Sequence, residues 1–142
     1  MGHFSPAALK TILQAVGVLA SSSLRKQELE LVKLVVSEAA GCDYCITAHG
    51  LLSLLAGLSP EALQAIREKR PTGNQRRDAL VRFVRSVVTT QGTVNDDAFA
   101  DFKSAGYTDT HVVDISLAIA VATFTNVFNR INDTPIDVTA FV

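Results

Sequence analysis

Apolar residues recur along this chain at steps of three and four, and nowhere do they alternate with polar ones for long enough to suggest a strand. The helical period is punctuated by caps. Ser5-Pro6 has the form of an N-cap followed by proline at the first helical position, and it predicts a helix to about Ala20. Ser21-Ser22-Ser23 breaks the chain and reads as the cap of a second helix, about Leu24 to Ala40, with Gly41 suited to a left-handed end. A third helix begins at the segment "GCDYCITAHG" and runs to about Ala56. Leu58-Ser59-Pro60-Glu61 repeats the cap-plus-proline device for a short helix to about Lys69. Pro71 and Gly73 separate this from a longer helix, about Asn74 to Thr90. Asn95 caps "DDAFADFKSAG", which Gly106 ends, and Thr108 caps the last helix, about Asp109 to Ile131, closed by Asp133 and Pro135. The expectation is an all-α, compact single-domain helical bundle spanning residues 1–142.

Composition sharpens this. Hydrophobic residues make up 48% of the 142 and charged residues 19%, below the roughly 25% charged that is usual. No uninterrupted apolar run reaches the ~18–20 residues of a membrane span; the longest, "ISLAIAVATF", carries Ser116 and Thr123. The surplus of apolar residues points to faces buried between subunits, hence to a homo-oligomer. A net charge of −1 without blocks gives no footprint for nucleic acid or an acidic membrane. Arg76, Arg77, Arg82 and Arg85 read as the solvated face of a helix. The opening "MGHFSPAALK" has neither the basic-then-apolar form of a secretion signal nor Ser or Thr at position 6, where myristoylation wants one. The expected location is therefore cytoplasmic.

The chemistry is concentrated in one place. Both cysteines of the chain, Cys42 and Cys45, lie within the eight residues that end at His49. At a helix start the backbone N–H groups are unpaired and carry the positive end of the dipole, which stabilises a thiolate there. At about 100° per residue, Cys42, Cys45 and His49 fall within about 60° of one another. His49 is four residues from Cys45 and can exchange a proton with it, while the two thiols are close enough to close a disulfide through a sulfenic acid on either one. Two quieter readings compete: small core residues beside an unrelated histidine, or a zinc site. Zinc needs a fourth ligand, and the sequence offers only the distant His3, His111 or a carboxylate.

The stretch "LRKQELELVKLVVSEAAGCDYCITAHGLLSLLAGLS" resembles the alkylhydroperoxidase D-like group of the carboxymuconolactone decarboxylase family. The family signature is a glutamate twelve residues before the first cysteine of a CxxCxxxH motif, and Glu30, Cys42, Cys45 and His49 keep all its spacings. The closing segment from Tyr107 is similar to the family's last helix. The resemblance implies an all-α homo-oligomer, a trimer or a hexamer. It also implies a peroxidase whose dithiol reduces a hydroperoxide and becomes a disulfide. In that scheme Cys45 attacks the peroxide, Cys42 resolves the sulfenic acid, and Glu30 with His49 relays protons. No cofactor is implied beyond the Cys42–Cys45 pair, and a thioredoxin-like or dihydrolipoyl partner reopens the disulfide. The family's other named activity, lactone decarboxylation, needs no dithiol, so the intact CxxC argues against it.

Some residues pull two ways. By periodicity Glu30 shares a polar stripe with Lys26, Lys33 and Ser37 and reads as a solvated partner of Lys26; only the signature spacing assigns it a role. Glu38, four residues before Cys42, does not fit the signature and reads as a surface residue. Tyr44 stands where some relatives carry a histidine. The helix dipole favours Cys42 as the stabler thiolate, whereas the family pattern makes Cys45 the nucleophile. In the last helix, Asn126, Asn129 and Asn132 form a stripe that reads as a wet helix face or a polar lining near a subunit interface. Val112, Ile115, Leu117, Ile119, Val121 and Phe124 point in too many directions for a one-faced surface helix, so the helix is expected in the core or between subunits.

Overall fold

The second helix turns out to be surrounded on nearly all sides, and the rest of the fold is arranged to cover it. A computed structural model describes residues 5–137 and, among these, seven helices and no strand. They are α1 (Pro6–Ala20), α2 (Lys26–Ala40), α3 (Asp43–Leu55), α4 (Pro60–Arg67), α5 (Gln75–Thr90), α6 (Asp96–Ser104) and α7 (Asp109–Ile131). Helices α3, α5 and α7 pack on α2, α1 packs on α7, α6 on α5 and α4 on α3. Leu29, Leu31, Val32, Leu34, Val35 and Val36 of α2 are buried, as expected of a helix with neighbours on several flanks. Less expected, Glu28, Glu30 and Ser37 are buried with them.

Most caps form as read. Side chains of Ser5, Ser59, Asn74 and Asn95 accept from the first turns of α1, α4, α5 and α6. The second helix is the exception. Its N-cap is Arg25, not a serine, and Glu28 Oε1 accepts from the Arg25 N–H at 3.0 Å. Ser23 has a stronger attraction elsewhere: its N–H and hydroxyl donate to Asp114 Oδ2 of α7 at 2.9 and 2.5 Å. A long-range carboxylate took the residue that local pattern assigned to the helix start.

The arginine stripe of α5 is also not simply solvated. Arg76 Nε donates to Glu28 Oε2 at 3.1 Å, and Tyr107 Oη donates to the same oxygen. Arg77 reaches Gln27, and Arg85 donates to the Ile66 carbonyl at 2.5 Å; only Arg82 is in an exposed pair, with Asp101. Burial alone would raise the Glu28 carboxyl, but hydrogen bonds from Tyr107, the Arg25 backbone and Arg76 outweigh it and hold the group below its ordinary 4.5. The Tyr107 ring stacks on Phe102 at 4.6 Å, Phe102 on Phe83 at 4.0 Å, and the Arg76 guanidinium lies 4.2 Å from the Tyr107 centroid. Deleting Phe102 would cost about 3–5 kcal/mol, as for other buried aromatics.

Glu38 is not a surface residue either. Its side chain is 18% exposed, between Arg67 at 3.8 Å and Arg85 at 3.9 Å, and its Oε1 is buried without a hydrogen bond among the described residues. Burial pushes its carboxyl above 4.5 despite the opposing pull of Arg85, Arg67 and Lys69.

Helix α7 fulfils its expectation on one face. Ile115, Ala118, Val121, Ala122 and Asn126 are buried, while Val113, Phe124, Val127, Phe128 and Ile131 stand exposed. By length and composition alone α7 could also cross a membrane, yet its inner face is built into this bundle against α1, α2 and α3. Helix α1 likewise exposes Leu9, Leu13, Val16 and Val18.

Candidate functional site

The turn between α2 and α3 places the cysteines. Gly41 sits at φ +66°, a left-handed conformation that favours glycine. The Cys42 N–H then reaches the Ser37 carbonyl and the Gly41 N–H the Glu38 carbonyl, both at 3.2 Å, closing α2 with the Schellman pattern. The chain is thereby turned so that Cys42 becomes the N-cap of α3. Its Sγ accepts from the Cys45 N–H at 3.3 Å, satisfying one of the orphan donors of the helix start. Both cysteines are free and 2% exposed. The Cys45 thiol is pushed up to about 12 from its ordinary 9.0, first by burial and then by its hydrogen bond with Cys42; the Asn129 amide pulls the other way.

One turn further along α3, His49 Nδ1 lies 2.9 Å from Glu30 Oε2 on α2. The Glu30 carboxylate accepts the Nδ1–H, which orients the ring and leaves Nε2 as the acceptor nitrogen. Glu30 Oε1 is 3.9 Å from Lys33 Nζ, so the carboxylate sits between an imidazole and an ammonium, both largely covered at 15% and 11% exposed. Periodicity alone made Glu30 a solvated partner of Lys26; its partners are instead Lys33 and His49, and it is 7% exposed. Ser53 donates to the His49 carbonyl at 2.7 Å and ties down the following turn of α3.

The structure thus brings together Glu30 with His49 and Cys42 with Cys45, and adds a residue of the stripe that sequence reasoning left as either a wet helix face or a polar lining near a subunit interface. Asn129 Nδ2 of α7 donates to Cys45 Sγ at 3.5 Å, and its Oδ1 accepts from Thr134 at 2.9 Å, which fixes the amide. Arg130 Nη1 donates to the Ala40 carbonyl at 2.7 Å and anchors the end of α7 to the end of α2. The three-residue asparagine step was the available signal. Asn126 is buried, and Asn132 turns back to its own helix at Phe128. Tyr44 is half-buried on α3.

Of the distant zinc ligands considered, His111 accepts the Thr108 N–H at 2.9 Å and meets the Tyr107 ring edge-on at 5.1 Å, far from a free ligand role. His3 lies outside the described residues. Among the described residues no three His, Cys, Asp or Glu side chains are grouped to hold a metal ion.

The model of the Carboxymuconolactone decarboxylase family matches residues 6–82. The chain is similar to an Agrobacterium tumefaciens protein of unknown function proposed to be the antioxidant defence protein AhpD: 25% identity, TM-score 0.82, covering 94% of this chain and 92% of that one. It shares its fold with a peroxidase-related protein of Ralstonia eutropha JMP134 having an alkylhydroperoxidase AhpD core, at 22% identity and TM-score 0.77, over 88% and 68% of the two chains. It also shares its fold with the debrominase Bmp8 in complex with 2,3,4-tribromopyrrole, at 17% identity and TM-score 0.80, over 94% and 72%. No curated protein matches at a significant level.

Proposed function

Because the chain belongs to the carboxymuconolactone decarboxylase family, with the AhpD-like fold, we propose that it is a thiol peroxidase that reduces organic hydroperoxides at its Cys42–Cys45 pair. The observation that carries this is the Glu30–His49 contact of 2.9 Å beside a buried dithiol at a helix start. The fold alone does not choose the reaction, since a debrominase has it too.

A thiol pushed this far up by burial is almost wholly protonated at pH 7, and thiolate is the reacting form. Cys45 therefore needs its proton removed as it attacks, and His49, one turn along α3 with Nδ1 held by Glu30, is the base assigned to it. The Cys45 sulfur bonds to the terminal peroxide oxygen while the O–O bond breaks, and the alkoxide leaving group takes a proton through the relay. The products are an alcohol and a sulfenic acid on Cys45. The Cys42 thiol then gives its proton to the relay as its sulfur attacks the Cys45 sulfur; an S–S bond forms, the S–O bond breaks, and the leaving hydroxide takes that proton and departs as water. The two electrons taken from the thiols are returned by a dithiol reductant, thioredoxin-like or dihydrolipoyl, whose exchange restores both thiols. Asn129, donating to Cys45 Sγ, steadies the attacking sulfur. The resemblance implies a trimer or hexamer, and the apolar outer faces of α1 and α7 support a homo-oligomer; sedimentation as a monomer at micromolar concentration would remove that part.

The test is intact mass of the reduced protein before and after one equivalent of cumene hydroperoxide. Rapid loss of two hydrogens in the wild type is expected. In Cys42→Ser the product should stop at one added oxygen on Cys45, and Cys45→Ser should not react. An unchanged wild-type mass would end the peroxidase reading.

A further inference from the structure

Glu30 has a lysine of its own helix on either side of it in sequence, and helix neighbours at either spacing can pair with it. Lys26, four residues earlier, is exposed; Lys33, three residues later, is covered, with a side chain 11% exposed. The carboxylate is found with the covered one. Its Oε1 lies 3.9 Å from Lys33 Nζ while its Oε2 takes the His49 Nδ1–H at 2.9 Å. Among the described residues Glu30 is the one acid paired with Lys33. A lysine is rarely covered unless it is paired, because its long stem ordinarily carries the ammonium to water. The placement of Lys33 therefore calls for a reason.

At 3.9 Å the two groups are too far apart for a hydrogen bond, so the contact is one of charge and does not compete with the imidazole. What it supplies follows from the cost of burial. A carboxylate as covered as Glu30, 7% exposed, is costly unless it is both hydrogen-bonded and paired with an opposite charge. His49 provides the hydrogen bond and Lys33 the charge. Without the ammonium, the carboxylate regains its hydration by swinging off the imidazole on its flexible stem. Nearby charges are engaged elsewhere: Arg76 with Glu28, Arg67 and Arg85 with Glu38, and Arg130 of α7 with the Ala40 carbonyl. We infer that Lys33 is a positioning residue of the site: its ammonium holds Glu30 on His49 and so fixes the orientation of the imidazole. It acts through Glu30 alone. The kinetic consequence rests on the peroxidase reading; the positioning itself does not.

The test is a double-variant cycle in the reduced full-length protein, built from Lys33→Met, Glu30→Gln and the two together, with Lys33→Arg beside them. Three quantities are read: the NMR signal of the His49 Nδ1–H, identified by its absence from His49→Gln; urea unfolding; and single-turnover oxidation by cumene hydroperoxide. Lys33→Met should weaken or abolish the Nδ1–H signal through exchange with water. It should also slow oxidation about threefold to tenfold, a part of the general-base share. Lys33→Arg keeps the cation and should retain both. The cycle supplies a change of sign. In the wild type, Lys33→Met leaves a covered carboxylate without its cation and should lower the urea midpoint. In Glu30→Gln it removes a covered ammonium that has already lost its anion, so it should raise the midpoint and cost no further rate. A mere packing role for the lysine stem would lower the midpoint in both backgrounds and overturn the inference. So would an unchanged Nδ1–H signal in Lys33→Met, equal losses of rate in the two backgrounds, or a Lys33→Arg as damaged as Lys33→Met. If no hydroperoxide oxidises the dithiol, the peroxidase reading fails, while the Nδ1–H signal and the urea cycle still decide whether Lys33 positions Glu30.

Discussion

Replacing Glu30 with glutamine tests the proton relay at its least obvious member. The substitution keeps the shape of the side chain and offers an amide carbonyl oxygen to His49 Nδ1, now 2.9 Å from the carboxylate. It removes the negative charge beside the imidazole, and it strips Lys33, 11% exposed and 3.9 Å away, of its anion. General-base assistance is worth about 10²–10⁴ in rate, and His49→Ala should lose all of it. Glu30→Gln, retaining orientation but not charge, should lose about 10–100-fold of the oxidation rate, part of that general-base share. The folded state should weaken by about 1–3 kcal/mol, the cost of a covered polar group left short of a partner. The assay is quenched-flow oxidation by cumene hydroperoxide read as intact mass, with urea unfolding run beside it. The double variant decides the mechanism. If Glu30 acts through the imidazole, Glu30→Gln has no further effect once His49 is alanine. Fully additive losses, or a Glu30→Gln rate equal to wild type, would refute the relay.

Three further outcomes are expected. Glu38→Gln should unfold at equal or higher temperature at pH 7, because burial raises the Glu38 carboxyl and its Oε1 has no hydrogen bond among the described residues; a clear loss of stability would show that Arg67 and Arg85 outweigh desolvation. Glu28 has the opposite sign: its folded pKa lies below 4.5, so its contribution is complete above 4.5 and is lost as pH falls through the folded value. Glu28→Gln should therefore lower stability at pH 7 and flatten the acid limb of a stability–pH curve below about 4.5. Cys45 is raised to about 12 from 9.0, so its contribution is whole below about 9 and disappears as pH rises toward 12. Chemical unfolding between about pH 8 and 10.5 should show a smaller alkaline decline in Cys45→Ser than in the wild type, and identical declines would contradict the burial effect.

The helices were legible because their signals are local. Ser5, Ser59, Asn74 and Asn95 each cap a turn within three residues of themselves, and Gly41 needs only its own left-handed φ to end α2. The CxxCxxxH spacing likewise places Cys42, Cys45 and His49 on one side of α3 without help from the rest of the chain. What tertiary structure decided are the contacts made over long separations. Glu30 looks solvated in a heptad-like pattern, but α3 packs on α2 and converts it into the buried partner of His49. Ser23 left its helix start for Asp114, ninety-one residues away. Arg76 and Tyr107 enclosed Glu28, and Asn129 reached Cys45 only because α7 returns across the end of α2. A buried charge or amide has no periodicity of its own. Its sign and its partner follow from which helix covers it, and that is settled by packing rather than by its neighbours in sequence.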